Sequence, residues 1–102
     1  MEVWKFELPP TDGPGFITVN MPRRARILHA GVQSDKVYVW ALVLPGMSAD
    51  PEERFFRVVG TGQKLHEEPE RLRFLSTLYM QTYVFHVFEV LSKEATGRPE
   101  EV

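Results

Sequence analysis

Eight consecutive residues, Val37-Tyr38-Val39-Trp40-Ala41-Leu42-Val43-Leu44, are apolar, and most of them are β-branched or aromatic. Such a run packs best as an extended strand. Even with Pro45 it is about half the roughly 20 residues that a membrane helix needs. A strand that is apolar on both sides needs cover on both, so its sheet must curl into a barrel, pack as a sandwich, or carry a helix. Pro45-Gly46 ends the run, and Ser34-Asp35 with Lys36 makes a compact connection into it.

The flanking sequence repeats the pattern in weaker form. In Glu2 to Leu8, Trp4, Phe6 and Leu8 alternate with Lys5 and Glu7, the period of a strand with one wet face. Pro9-Pro10 and the turn-rich Thr11-Asp12-Gly13-Pro14-Gly15 follow, and then Ile17, Val19 and Met21 alternate with Thr18 and Asn20. Further strands are expected at Ala25 to Gln33, with a bulge at Gly31, and at Arg54 to Val59. Phe74 to Met80 and Tyr83 to Leu91 face each other across Gln81-Thr82 with hairpin spacing. Over Glu68 to Tyr79 a helix competes, because Arg71, Leu72, Phe74, Leu75 and Leu78 also have helical spacing. The expected architecture is mainly β: an antiparallel barrel or sandwich of six to seven strands in a single domain over residues 1–91, with one short helix as the α+β alternative. Residues 92–102 lose the apolar pattern and read as a flexible tail.

Composition narrows the chemistry. Twelve basic and 14 acidic side chains give a formal charge of -2, which disfavours a nucleic-acid partner held by bulk electrostatics. The absence of cysteine excludes disulfides, thiolate metal sites and cysteine nucleophiles. His29, His66 and His86 lack the short spacing of a metal knuckle, so neither a metal nor a cofactor is expected. No membrane segment is expected either, and the bacterial cytoplasm is the compartment anticipated.

Five segments taken together resemble a known family. They are Glu2-Val3-Trp4-Lys5-Phe6, Met21-Pro22 with Ala25-Arg26-Ile27-Leu28, Tyr38-Val39-Trp40-Ala41-Leu42-Val43, Arg54 through Gly62, and Val84-Phe85-His86-Val87-Phe88-Glu89. The set resembles a family of small uncharacterised proteins found in bacteriophage genomes and bacterial prophage regions, over Glu2 to Glu89. Arg24 stands where those relatives tend to have glycine, and a glycine-rich turn before the last strand is lacking. The resemblance implies a phage-associated origin and transfers no activity.

Two groups of residues carry the functional expectations. Gly60-Thr61-Gly62 could present backbone amides to an anion, helped by Arg24, Arg26 and Arg57, although no phosphate-loop signature accompanies it. A plain structural corner and solvated, acid-paired arginines are the competing reading. Tyr79, Met80 and Tyr83 cluster near the hairpin tip, where exposed aromatics could contact a partner. His86, between Phe85 and Val87, reads as a hydrogen-bonded core residue. Ser76, Thr77 and Glu89 are available beside it in principle, but no nucleophile-elbow motif supports catalysis.

A non-enzymatic binding protein is therefore the expectation: a phage-derived protein that occupies and inhibits a host protein of transcription or defence. The alternatives are sequestration of a nucleotide-like signal and a structural or assembly role in the phage. A homo-oligomer fits any of them.

Overall fold

The computed structural model describes residues 1–10 and 16–91. Its strands are β1 (Glu2–Glu7), β2 (Ile17–Pro22), β3 (Arg26–Gln33), β4 (Lys36–Val43), β5 (Pro51–Gly60), β6 (Leu72–Met80) and β7 (Tyr83–Val90). They form two antiparallel sheets, a smaller one ordered β1-β4-β3 and a larger one ordered β2-β5-β7-β6. The sheets do not close into a barrel, so of the two forms expected the molecule takes the sandwich.

The long apolar run becomes β4, the central strand of the smaller sheet. Val39, Ala41 and Val43 are buried against the core, while Tyr38, Trp40 and Leu42 on the opposite parity are half-buried. No additional layer covers this second face among the described residues. Side chains of the same sheet do so instead. The Tyr38 and Trp40 rings lie 6.0 Å apart, the Lys5 ammonium sits 4.6 Å over the Tyr38 ring, and Trp40 lies close against Gly31. A Cβ at Gly31 would come within 3.2 Å of the indole, so glycine here serves that approach.

Two bulges reset the inside-outside alternation. In β3 the register shifts between Ile27 and His29, which makes Leu28, half exposed, the extra residue and places Ala30 inward. The irregularity expected at Gly31 therefore lies at Leu28, because Ile27 and Ala30 both face the core and one residue must be spent between them. In β6 the register shifts between Phe74 and Ser76. Leu75 is the extra residue, Phe74 points outward, and Ser76 and Leu78 point inward. The bulge produces an apolar spacing of three from Leu75 to Leu78 inside a strand, and this is what imitated a helix over Glu68 to Tyr79. Only a 3-10 turn at Pro69–Arg71 precedes β6.

The core is mainly aliphatic. Phe56 is its one aromatic member among the fully buried residues, beside Met21, Val39, Val43 and Val87. Several aromatics lie outside it: Phe74 is 57 % exposed and Phe16 43 %. Along one side the edge strands β3 and β6 meet, and the Ala30 N–H donates to Ser76 Oγ at 3.2 Å.

Both β5 and β6 run antiparallel to β7 and hence parallel to each other. The segment joining them must return along the full length of the sheet, and it crosses the outer face, the side bearing Arg57. Arg57 Nε and Nη2 donate to Glu67 Oε2 at 2.8 and 2.7 Å, and the Leu91 N–H donates to the Arg71 carbonyl at 2.8 Å. The connection is thus a strap pinned at Glu67, whose side chain is 7 % exposed.

Candidate functional site

The β6–β7 hairpin closes through Gln81-Thr82, with Met80 opposite Tyr83 and Gln81 at φ +56. Both strands are paired up to the turn, so their side chains are presented from a rigid support. Tyr79 is 74 % exposed and Tyr83 64 %, on opposite faces of the hairpin, and Met80 is half-buried. Tyr83 stacks on Phe85 with ring centroids 6.1 Å apart. Lower on β6, outward-facing Phe74 packs edge-on against Phe88 at 5.7 Å. Sequence reasoning placed the two tyrosines at the tip and missed Phe74, whose outward parity is set by the bulge after it.

The Gly60-Thr61-Gly62 corner ends β5. Gly62 has φ +92, which glycine adopts without penalty. The Gly60 N–H, one of the amides a bound anion would need, donates to Gln63 Oε1 at 2.6 Å, and the Gln63 N–H returns to the Gly60 carbonyl at 3.0 Å. The corner thus caps itself with its own side chain. Thr61 Oγ1 lies 2.7 Å from His86 Nε2, and Thr77 Oγ1 lies 3.1 Å from His86 Nδ1. His86 is hydrogen-bonded as expected, but it sits half-buried on the outer face. Val87 takes the core position instead. Ser76 and Glu89 face the core, away from His86, with Glu89 paired to Arg54 at 2.5 Å. Thr77 and His86 therefore meet without a carboxylate to orient the ring, which leaves no nucleophile-base-acid set among these residues.

The arginines expected around the corner are dispersed. Arg24 occupies the β2–β3 turn at φ +69, a left-handed position of the kind glycine fills easily, and its amide donates to Glu52 Oε2 at 3.0 Å. Arg26 opens β3 opposite Leu42 and is exposed. Arg57 is engaged with Glu67 and stacks over Phe16 at 4.9 Å. Glu52 and Gly60 are eight residues apart along β5, about 26 Å at the rise of a strand. Arg24 therefore stands at the opposite end of the sheet from Gly60, and the structure does not gather these residues around one ligand. No group of three or more metal-ligating side chains occurs among the described residues.

Residues 1–98 match the family model described as a domain of unknown function, DUF7352. The chain belongs to this family. No curated protein and no solved structure matches it. In this DUF7352 member no helix of the described residues is long and apolar enough to cross a membrane. The tail expected at 92–102 lies outside the described residues.

Two ion pairs of the larger sheet escaped sequence reasoning. Arg57–Glu67 holds the strap, and Arg54–Glu89 lies on the core side, where Arg54 Nη1 also donates to the Ala25 carbonyl at 2.7 Å. Burial of the Glu67 carboxyl pushes its pKa upward. The hydrogen bonds from Arg57 and from the Glu67 backbone, with the charges of Arg57 and His66, outweigh this and leave it below the ordinary 4.5. The alternation around Arg54 and Glu89 would have shown that both share a face with Phe56 and Val87, but charged residues on a core parity are ordinarily read as strand ends.

Proposed function

We propose that this domain works by binding another protein, with the β6–β7 hairpin as its contact surface and no chemistry of its own. The observation that carries this reading is the exposure of Phe74, Tyr79 and Tyr83, at 57, 74 and 64 %, on a single paired hairpin. Aromatic side chains of this kind are enriched at protein interfaces, and holding them on paired strands lowers the ordering cost of association. A partner offering apolar pockets for two tyrosines is the chemistry that fits. The resemblance to phage and prophage proteins makes a host protein of transcription or defence the partner expected, and occupancy of its surface the mode of inhibition. The nucleotide-sequestering alternative is supported less, since Gln63 occupies the Gly60 amide and Glu67 engages Arg57.

The test compares the wild-type chain with the Tyr79→Ser/Tyr83→Ser variant, both changes lying at exposed positions. A partner captured in stoichiometric amount by the wild type should bind the variant at least about tenfold more weakly, the loss typical of an interface tyrosine, with the melting temperature unchanged. Equal capture by both proteins would sink the hairpin as the contact surface. If the partner recovered is a second copy of the chain, light scattering will show a dimer that the variant does not form, and the assembly reading replaces the host-directed one.

A further inference from the structure

The outer face of the smaller sheet collects cations that meet no acid. Strand register sets its layout, because directly paired residues of antiparallel strands point to the same face. Lys5 and His29 flank Trp40, Val3 and Arg26 flank Leu42, and Glu7 and Gly31 flank Tyr38. Lys36 follows on β4, paired with Gln33. Lys5, Arg26 and Lys36 are exposed, and none of them is ion-paired with a described residue. On the larger sheet, by contrast, Arg54, Arg57 and Arg73 each approach a carboxylate within 3.7 Å.

Lys5 is held by neutral groups alone. Its ammonium passes over the Tyr38 ring and donates to Gln33 Oε1 at 2.7 Å, which carries the charge from β1 to the β3 side of the sheet. The cations then line that side, Arg26 at one end and Lys36 with the Lys5 ammonium at the other. Lys36 and Leu42, the partner of Arg26, are six residues apart on β4, so the row is about 20 Å long. Glu7 stands on the far side of Tyr38, on β1, and Asp35 lies in the β3–β4 turn.

Trp40 sits between the two ends. Its indole leans across to β3, where a Cβ on Gly31 would fall 3.2 Å from Cζ3. Tyr38 borders it at 6.0 Å and His29 at 6.4 Å between ring centroids. His29 Nδ1 lies 3.4 Å from Ser76 Oγ, so that ring edges the platform and is assigned no charge-binding role. An aliphatic side chain would shield β4 as well as the indole does, and would need no glycine beside it. A flat ring with unpaired cations before and after it is complementary to a base between two phosphates. Side chains on one face of a strand recur about every 7 Å, comparable with the advance per nucleotide of an extended single strand. A duplex keeps its bases stacked inside and has none to lay on Trp40.

We infer that the outer face of the smaller sheet binds single-stranded nucleic acid. One base stacks on Trp40, and the neighbouring phosphates accept hydrogen bonds from Arg26 on one side and from Lys5 and Lys36 on the other. The net charge of -2 makes this a local contact, weakened readily by salt. The surface lies on the opposite sheet from the hairpin and does not rest on the protein-binding reading.

NMR of the full chain, titrated with an oligothymidylate of about twelve nucleotides, tests the surface. The chain has two tryptophans, and they lie on opposite faces of the smaller sheet, Trp40 outward and Trp4 packed toward the core. Their indole N–H signals therefore serve as probe and control. The Trp40 signal should shift saturably, with a Kd of about 0.1 mM or tighter, and the Trp4 signal should stay in place. Three phosphate contacts predict a slope of log affinity against log salt of about −2, falling to about −0.7 in Arg26→Ala/Lys36→Ala. Trp40→Leu should weaken binding at least about fivefold. If that variant fails to fold, the salt slope of Arg26→Ala/Lys36→Ala, changed only at exposed positions, decides. Absence of a saturable Trp40 shift, or a salt slope unchanged in the double variant, overturns the surface. So does equal affinity for polyglutamate, which would mean that the face reads charge alone, or for thymidine monophosphate, which would mean that no strand is held.

Discussion

At the scale of single residues, Glu67 has the largest consequence for its surroundings. It closes a loop that Thr61, Gln63 and Arg71 also tie down, and it does so with one carboxylate oxygen taking two guanidinium hydrogen bonds. Hydrogen bonds to charged groups at such sites contribute about 1.5–3 kcal/mol, so Glu67→Gln should destabilise the domain by roughly 1–3 kcal/mol near neutral pH. The pH dependence has a definite sign. The folded-state pKa lies below the ordinary 4.5, so the contribution is fully present above that value and is lost as pH falls through the lower, folded one. Melting temperatures measured from neutral pH down to about 3 should therefore converge for wild type and Glu67→Gln, and only below about pH 4.5. A gap that stays constant through this range would mean that Glu67 acts through packing alone.

At the scale of elements, legibility tracked how far alternation could be read without interruption. β1 and β2 carry apolar residues on one parity and polar ones on the other, and both were visible in the sequence. In β7 both parities are apolar, Val84 and Phe88 on one and Phe85 and Val87 on the other, so alternation could not say which face His86 would take. β3 and β6 each hide a bulge, and no residue type marks Leu28 or Leu75 as the extra one. The hairpin turns were legible as turns but not as conformations. Ser34 and Asp35 both adopt positive φ, +54 and +62, the pattern of a type I′ turn, for which Asn-Gly is the preferred pair. Ser34→Asn/Asp35→Gly should therefore stabilise the β3–β4 hairpin by about 1 kcal/mol, raising the melting temperature by about 4–8 °C for a domain of this size. An unchanged or lower melting temperature would show that the turn is held by its strands at no conformational cost.

At the scale of the whole molecule, the open question for any two-sheet fold is what keeps the sheets in one register. The core side chains are aliphatic and adaptable, and such packing tolerates sliding better than directional bonds do. The directional contacts between the sheets are few and sit at opposite places. Arg54 of the larger sheet donates to the Ala25 carbonyl at one end, and Ser76 Oγ accepts the Ala30 N–H where β3 and β6 meet. Ser76 is 6 % exposed and Ala30 fully buried, so the serine is a polar residue placed inside to satisfy a backbone donor that no strand reaches. Its bulge is what aims it there: without Leu75 as the extra residue, Ser76 would point outward. Ser76→Ala removes the acceptor and leaves the Ala30 N–H buried and unpaired, at a cost of about 1–3 kcal/mol. Ser76→Thr keeps the hydroxyl and should recover much of that loss. Amide hydrogen exchange gives the decisive readout, because a broken seam should accelerate exchange at Ala30 and along the facing edges of β3 and β6, beyond any change in β1, β2 and β5. Uniform acceleration across both sheets would instead mean that the seam is an ordinary part of the core, and that the register of the sandwich is fixed by side-chain packing.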